Sequence, residues 1–304
     1  MLPQPPSTQP WYSKIGAQRD WIWRGWQIRY TYIRSGADRT PLVFLHGFGS
    51  AIGQWRYNLQ PLSEDRTVYG LDLLGFGASQ KAPAEYGVEL WMAQVYDFWR
   101  SFIQTPIVLV GHSLGGAVAL AAAASYPEMV QGLVLLTVPP SVQERSSSKL
   151  QALGASMETA FASPLLLRSL FPLFRRPEVI RKGLKLAYAN KEMVTEELVA
   201  LFADPPRDRG AAGVLCRLFR AKNRRDYTPN VKVTLPQLEM PILMLWGKQD
   251  RVIPLDWGRK LAPLNPKLEF VEIENAGHCA YDECPDIVNQ KIITWLKSYL
   301  MPPL

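Results

Sequence analysis

Residues 106–125 read Pro106-Ile-Val-Leu-Val-Gly-His-Ser-Leu-Gly-Gly-Ala-Val-Ala-Leu-Ala-Ala-Ala-Ala-Ser125, and this stretch decides the fold. A β-branched run from Ile107 to Val110 stops at Gly111, and an alanine-rich helix former begins just past Ser113. That is a strand turning directly into a helix with a serine at the apex. In Gly111-x-Ser113-x-Gly115 the glycines two before and two after the serine let backbones approach closely around a strained turn, the geometry of a nucleophile elbow. Ser113 is therefore expected at the end of a sheet and at the N-terminus of a helix, whose unpaired N–H groups and dipole favour a developing oxyanion. A chance run of small residues would not carry a strand before it and a helix after it.

Working outward, the flanking segments alternate between strand and helix signals. On the N-terminal side, Trp21 to Ile33 is aromatic and alternating around Gly25, which reads as an antiparallel hairpin whose tryptophans pack rather than stack on a ligand. Residues 1–18, proline-rich and polar at first, read as a frayed arm. Pro41-Leu-Val-Phe-Leu45 is a buried strand ending in His46-Gly-Phe-Gly-Ser50, and Thr67 to Asp72 is another, ending in Leu73-Leu-Gly-Phe-Gly-Ala-Ser79. Glycine-rich loops at the carboxyl ends of strands are where open α/β sheets place their active sites. Residues 89–104 space Trp91, Val95, Phe98, Trp99 and Ile103 on one helical face. Past the elbow, Val130 to Val138 is again a buried strand.

The alternation then breaks. From Pro139 to about Glu239 there are helical runs, such as Leu165 to Phe171 and Val214 to Phe219, and no strong strand. Strands resume at Pro241 to Trp246 and Leu268 to Ile273, and a closing helix places Val288, Ile292, Trp295 and Leu296 on one face. The economical division is a core over 1–138, a helical insert over 139–239, and the remainder of the core over 240–304. The fold class is α/β, with a mostly parallel central sheet flanked by helices.

Composition agrees with a large folded unit and excludes several classes. Of the 304 residues 47% are hydrophobic, which rules out a disordered chain. No uncharged apolar run is long enough to span a membrane, and Met1-Leu-Pro-Gln-Pro-Pro has neither a basic n-region nor an apolar stretch, so a cytoplasmic location is the expectation. The cysteines Cys216, Cys279 and Cys284 are too few and too scattered for a disulfide framework or a zinc site. The net charge of +7 is concentrated: residues 141–232 hold 17 Lys and Arg against 9 Asp and Glu, while the rest of the chain is close to neutral. That segment carries no nucleic-acid fold signature, so no nucleic-acid partner is expected.

A serine hydroxyl is a poor nucleophile until a base takes its proton. The chain has 3 histidines. His112 adjoins Ser113 and should point away on the tight turn, and His46 should order its own glycine loop. His278, in Asn275-Ala-Gly-His-Cys-Ala-Tyr281 just after the last strand, can swing over the strand ends and is the expected base. The acid that orients it should follow the nucleophile and precede the histidine. Asp250, in Trp246-Gly-Lys-Gln-Asp250, fits that order and is preferred to Asp72, which should structure the Gly75–Ser79 turn, and to Asp282, too near His278 in sequence. For the oxyanion, the backbone N–H groups of Leu114 and Phe48 are the expected donors. Gly75-x-Gly77 lacks the third glycine and downstream acid of a dinucleotide site, no phosphate-binding loop with lysine occurs, and no cluster has metal-ligand spacing. Hydrolysis without cofactor or metal is the expectation.

Taken together, the His46-Gly-Phe-Gly loop, the Gly111-His-Ser-Leu-Gly-Gly116 elbow, Gly247-Lys-Gln-Asp250 and Ala276-Gly-His278 resemble the α/β-hydrolase superfamily from Trp21 to the final helix. Serine at 113 argues against the dehalogenase and epoxide hydrolase branches, which use aspartate there. Trp23-Arg-Gly-x-x-Ile-Arg-Tyr30, Asp72-Leu-Leu-Gly-Phe-Gly77 and Gln94-Val-Tyr-Asp-Phe98 are similar to the cyanobacterial and plastid branch that includes chlorophyll dephytylase and pheophytinase. Leu114 stands where chlorophyllases proper tend to place arginine, which implies the dephytylase side. The resemblance implies a helical cap after the sixth core strand, a triad of Ser113, Asp250 and His278, and removal of phytol from chlorophyll-type esters. Generic carboxylesterases, lipases and carbon–carbon bond hydrolases share that triad, and a non-catalytic receptor would retain the fold without needing it.

The insert bears on substrate. Leu165, Leu166, Leu167, Leu170, Phe171, Leu173 and Phe174 make an apolar stretch interrupted by Pro164 and Pro172 and followed by Arg175-Arg176. One reading is a cap packing on its own core. The other is an amphipathic surface resting on an anionic membrane, at the thylakoid if the substrate is chlorophyll.

Overall fold

Short apolar runs without polar alternation become the central strands, because a strand covered by helices on both faces has no side to present to water. The computed structural model describes residues 11–144, 164–224 and 226–300. Eight strands form one sheet: β1 (Ala17–Trp23), β2 (Trp26–Ile33), β3 (Leu42–Leu45), β4 (Val68–Leu71), β5 (Ile107–His112), β6 (Val130–Leu136), β7 (Ile242–Gly247) and β8 (Leu268–Ile273). Their order is β1-β2-β4-β3-β5-β6-β7-β8. The β1–β2 and β2–β4 pairings are antiparallel and the others parallel. This is the expected α/β architecture, with the aromatic hairpin as one edge.

The longer helices are α1 (Val88–Phe102), α2 (Leu114–Ser125), α3 (Pro164–Phe174), α4 (Pro177–Ala187), α5 (Glu196–Ala203), α6 (Ala211–Ala221), α7 (Leu255–Leu261) and α8 (Pro285–Leu300). Alternate residues of the buried strands serve two apolar layers. Leu109, Leu133, Leu135 and Met244 pack with α1 and α2, whereas Val108, Val110, Val134 and Leu243 face Val288, Ile292, Trp295 and Leu296 of α8. Truncating one of these core leucines costs about 2–5 kcal/mol in comparable sites. The hairpin is held by aromatic edges, with Trp21 and Phe98 ring centres 5.8 Å apart and the Trp23 indole N–H donating to Asp97 at 2.8 Å.

Helices α3 to α6 all lie between β6 and β7, which is where the alternation of the sequence breaks. Two local expectations are revised. Strand β1 begins at Ala17, inside the segment read as a frayed arm, because Ile15 is buried and its carbonyl accepts from the Thr31 hydroxyl. Residues 1–10 of that arm lie outside the described residues. Pro172 does not break the apolar run into separate elements: it sits within the last turn of α3, whose first described residue is Pro164. The side chains of Leu165 and Leu166 are outside the described residues, while Leu167 is buried and Leu173 and Phe174 are exposed. Among the described residues no helix is long and apolar enough to cross a membrane.

Parallel registry brings the loops of interest to one rim. Leu45 pairs with both Leu71 and Gly111, His112 with Leu136, and Gly247 with Ile273. The segments after these residues carry His46–Phe48, Asp72, Ser113, Asp250 and His278, so the topology delivers them to the same end of the sheet.

Candidate active site

The elbow is strained where the sequence demands it. Ser113 has φ 52° and ψ −115°, in the left-handed half of conformational space that a residue with a side chain rarely enters. A Cβ on Gly111 would lie 2.4 Å from the Gly115 carbonyl oxygen, and one on Gly115 would lie 2.2 Å from that of Leu45. Both glycines therefore answer a close approach of backbones. The Ser113 N–H donates to Leu136 O at 2.9 Å, which anchors the turn to β6. Backbone strain of this kind costs roughly 1–3 kcal/mol and persists because the surrounding bonds over-determine it.

Opposite the elbow, Asp250 and His278 meet across 28 residues of sequence. His278 Nδ1 donates to Asp250 Oδ2 at 2.9 Å. The other carboxylate oxygen accepts from the backbone N–H groups of Val252 and Ile253 at 2.8 and 2.9 Å, so the Asp250 side chain is fixed by its own turn. Both residues are buried. This hydrogen bond selects the tautomer in which Nε2 is free to accept a proton. Among the described residues the Ser113 hydroxyl has no hydrogen-bond partner; catalytic hydrogen bonds commonly tighten only with substrate bound.

The other candidates of the sequence have different partners. Asp72 accepts from Ile52 N–H and Ala78 N–H, both at 2.7 Å, and braces the two glycine-rich loops. Asp282 is paired with the buried Arg56 at 2.9 Å and accepts from the Tyr188 hydroxyl at 2.6 Å. His46 donates through Nδ1 to Gly47 O and accepts from Leu73 N–H, ordering its loop, and burial lowers its pKa. His112 departs from the expectation that it simply turns out of the site. Its ring centre is 4.7 Å from that of His278, its Nε2 donates to the His278 carbonyl at 2.9 Å, and its Nδ1 accepts from Tyr281. Burial, and then the nearby His278 imidazole, hold the His112 pKa well below the usual histidine range. A histidine one residue before the serine thus supports the loop that carries His278. Sequence spacing gave no sign of that contact, since the partners are 166 residues apart.

Two amide groups remain for an oxyanion. Leu114 is the first residue of α2, and Phe48 follows Gly47, where an added Cβ would stand 3.4 Å from Ser113 Cβ. Among the described residues neither N–H is engaged elsewhere. The Phe48 side chain is 51% exposed and leads into an apolar cavity of about 460 Å³. Phe76 of the core and Phe171, Leu184, Phe202 and Leu218 of the inserted helices line that cavity, together with Lys81 and Arg175. Ser113, Asp250 and His278 do not line it. Lys81 is neutralised by Asp208 at 2.9 Å, whereas Arg175 has no carboxylate partner among the described residues.

Residues 40–285 match the family model described as alpha/beta hydrolase fold. The chloroplastic pheophytinase of Arabidopsis thaliana is 26% identical over 89% of this chain, which spans 64% of that relative's length. The human (lyso)-N-acylphosphatidylethanolamine lipase is 30% identical over 83% of this chain and 78% of its own. Among solved structures, a bacterial membrane phospholipase A described as a virulence factor superposes with a TM-score of 0.76 at 27% identity, covering 93% of this chain and 86% of that one.

Proposed function

This chain belongs to the α/β-hydrolase fold family, and from that premise we propose that it is an esterase that cleaves a bulky apolar carboxylic ester, the phytyl ester of a chlorophyll-type pigment. The observation that carries the reading is the 460 Å³ apolar cavity lined by Phe48, whose neighbour Gly47 lies against the strained Ser113, in a chain whose His278 and Asp250 are hydrogen-bonded. Ser113 Oγ attacks the ester carbonyl while His278 Nε2 takes its proton. The oxyanion is held by the N–H groups of Leu114 and Phe48, and Asp250 stabilises the imidazolium. Collapse breaks the ester bond, and the departing alcohol takes the proton from His278. Water, activated by the same base, then releases the acid and restores Ser113.

The inserted segment, residues 139–239, serves as a cap in this reading. Its Phe171, Leu184 and Phe202 supply apolar wall for a long alcohol or acyl tail, whose burial contributes about 0.8 kcal/mol per CH₂ before ordering costs. The exposed Leu173 and Leu186 and the cationic excess of the same segment suit contact with an anionic membrane in which such a substrate resides. The pheophytinase relative supports the pigment substrate, at low identity.

A second reading is favoured by a specific side chain. Arg175 lines the cavity with no carboxylate partner among the described residues, as an acyl lipid with an anionic headgroup would require. The lipase relative points the same way. Incubating the purified protein and Ser113→Ala with chlorophyll, pheophytin and a phospholipid panel decides between them. Serine-dependent release of phytol supports the pigment ester; release of fatty acid without phytol rejects it in favour of the lipid.

A further inference from the structure

The loop that bears His278 is fastened to the cap by a carboxylate without a part in the chemistry above. Glu283 lies one turn beyond the histidine, in the short helical segment Ala280–Glu283. Its Oε1 accepts from Gly277 N–H at 2.7 Å, on the histidine's own loop. Its Oε2 accepts from Ala189 N–H at 2.7 Å and Asn190 N–H at 3.1 Å, just past the C-terminus of α4. The two segments also touch directly. The His278 N–H donates to Ala187 O at 2.7 Å, and a Cβ on Gly277 would stand 2.3 Å from that same oxygen.

Helix α4 is the element that contributes Ile180, Gly183 and Leu184 to the cavity wall. One end of the base's loop is thus bonded to the end of a helix that feels whatever occupies the cavity. Tyr188, between the bonded residues, is fully buried and donates to Asp282, so the junction is fixed at a second point. Burial raises the Glu283 pKa, and the N–H groups of Asn190, Gly277 and Ala189 counter it. Three backbone donors from two separate segments converging on one half-buried carboxylate is more than a helix cap requires, because a cap satisfies donors of a single helix.

We propose that Glu283 is a positioning residue that couples the seating of helix α4 to the orientation of the His278 imidazole. The proposal deepens the hydrolase reading and depends on it for its kinetic consequence, although the geometric coupling can be read without turnover. A displacement of about 1 Å in a catalytic group can cost on the order of 10²-fold in rate. A glutamine at 283 offers one acceptor oxygen and an NH₂ that can only donate, so it cannot accept on both the Gly277 side and the Ala189–Asn190 side. The loop then loses one of its two attachments.

The test uses the full chain with ¹⁵N-labelled histidine. The Nδ1–H of His278, bonded to Asp250, is followed by proton NMR and assigned with His278→Ala, and turnover of a short soluble ester is measured in parallel. For Glu283→Gln the expected result is a fall in kcat on the order of 10²-fold with KM nearly unchanged, and a broadened or displaced His278 resonance. Asp286→Asn, an exposed carboxylate nearby, should change neither. An unchanged resonance overturns the proposal whether or not kcat falls, because any loss would then not run through His278. Should the wild-type protein turn over no ester, the hydrolase reading fails and the resonance alone decides the coupling. Glu283→Asp, which keeps the charge and shortens the reach, is measured in the same way if the glutamine variant does not fold, with the same two outcomes.

Discussion

His278 and Asp250 are joined by a hydrogen bond of 2.9 Å between Nδ1 and Oδ2, and the second oxygen of the carboxylate is held by two backbone N–H groups of its own turn. The aspartate therefore cannot rotate away from the histidine without breaking its own turn. This fixes which ring nitrogen carries the proton and leaves Nε2 as the acceptor.

Replacing Asp250 by asparagine keeps the size but presents an amide that can hold the wrong tautomer. We expect Asp250→Asn to lower kcat by roughly 10³–10⁴-fold with a smaller effect on KM, measured with a soluble ester. Full activity in this variant would exclude the Asp250–His278 pair from the chemistry.

A single methyl group at the elbow should be felt in stability. Gly115→Ala would push a Cβ to 2.2 Å from Leu45 O, a backbone atom that cannot swing aside. The expected loss is on the order of 3 kcal/mol by urea denaturation. Gly49→Ala is the contrasting case in space but not in backbone: nothing lies within 4 Å of its Cβ, and its φ of 68° leaves only conformational strain, of about 1 kcal/mol.

The buried neutral histidines predict a pH slope. His112 has a folded pKa well below its ordinary value of 6.5, and His46 is lowered as well, both chiefly by burial. Below pH 6.5 the unfolded chain binds protons at these positions that the folded chain refuses. Their contribution to stability is thus whole above that pH and is lost as the pH falls towards the folded values. Asp72 and Asp282, whose pKa values are raised by burial, act in the opposite sense, so the informative quantity is the difference between two proteins. In denaturation between pH 7.5 and 5, His112→Gln should reduce the acid-side slope by up to one proton, about 1.4 kcal/mol per pH unit. An unaltered slope would mean that His112 is charged in the folded protein.

The proposed membrane contact of the inserted helices can be tested apart from turnover. Leu173 and Leu186 are 44% and 56% exposed and neither lines the cavity. Changing both to serine should reduce co-sedimentation with vesicles rich in phosphatidylglycerol several-fold while leaving turnover of a short soluble ester intact. Equal sedimentation of the double variant and the wild-type protein would remove these side chains from any membrane-binding face.

Much of the fold was legible in the chain because local backbone constraints leave a residue-level trace. An approach of 2.4 Å or less requires glycine at 111 and 115, and strands covered on both faces require continuous apolar runs such as Ile107 to Val110. The two histidine-bearing loops and the order of Ser113, Asp250 and His278 could be read for the same reason, since each follows a recognisable strand end. Chain order also pointed to Asp250 as the partner of His278 and to Asp72 as a brace of its own turn, whereas the remaining contacts came from tertiary structure alone. Asp250 reaches His278, while Asp72 and Asp282, equally acidic and equally buried, are committed to Ala78 and Arg56. His112 turned out to hold the carbonyl of His278, and Glu283 to bridge to Asn190. Hydrogen bonds such as those between residues 93, 166 and 226 positions apart impose no spacing on the sequence, because any polar residue on either segment could in principle make them; the packing of the segments selects the pair.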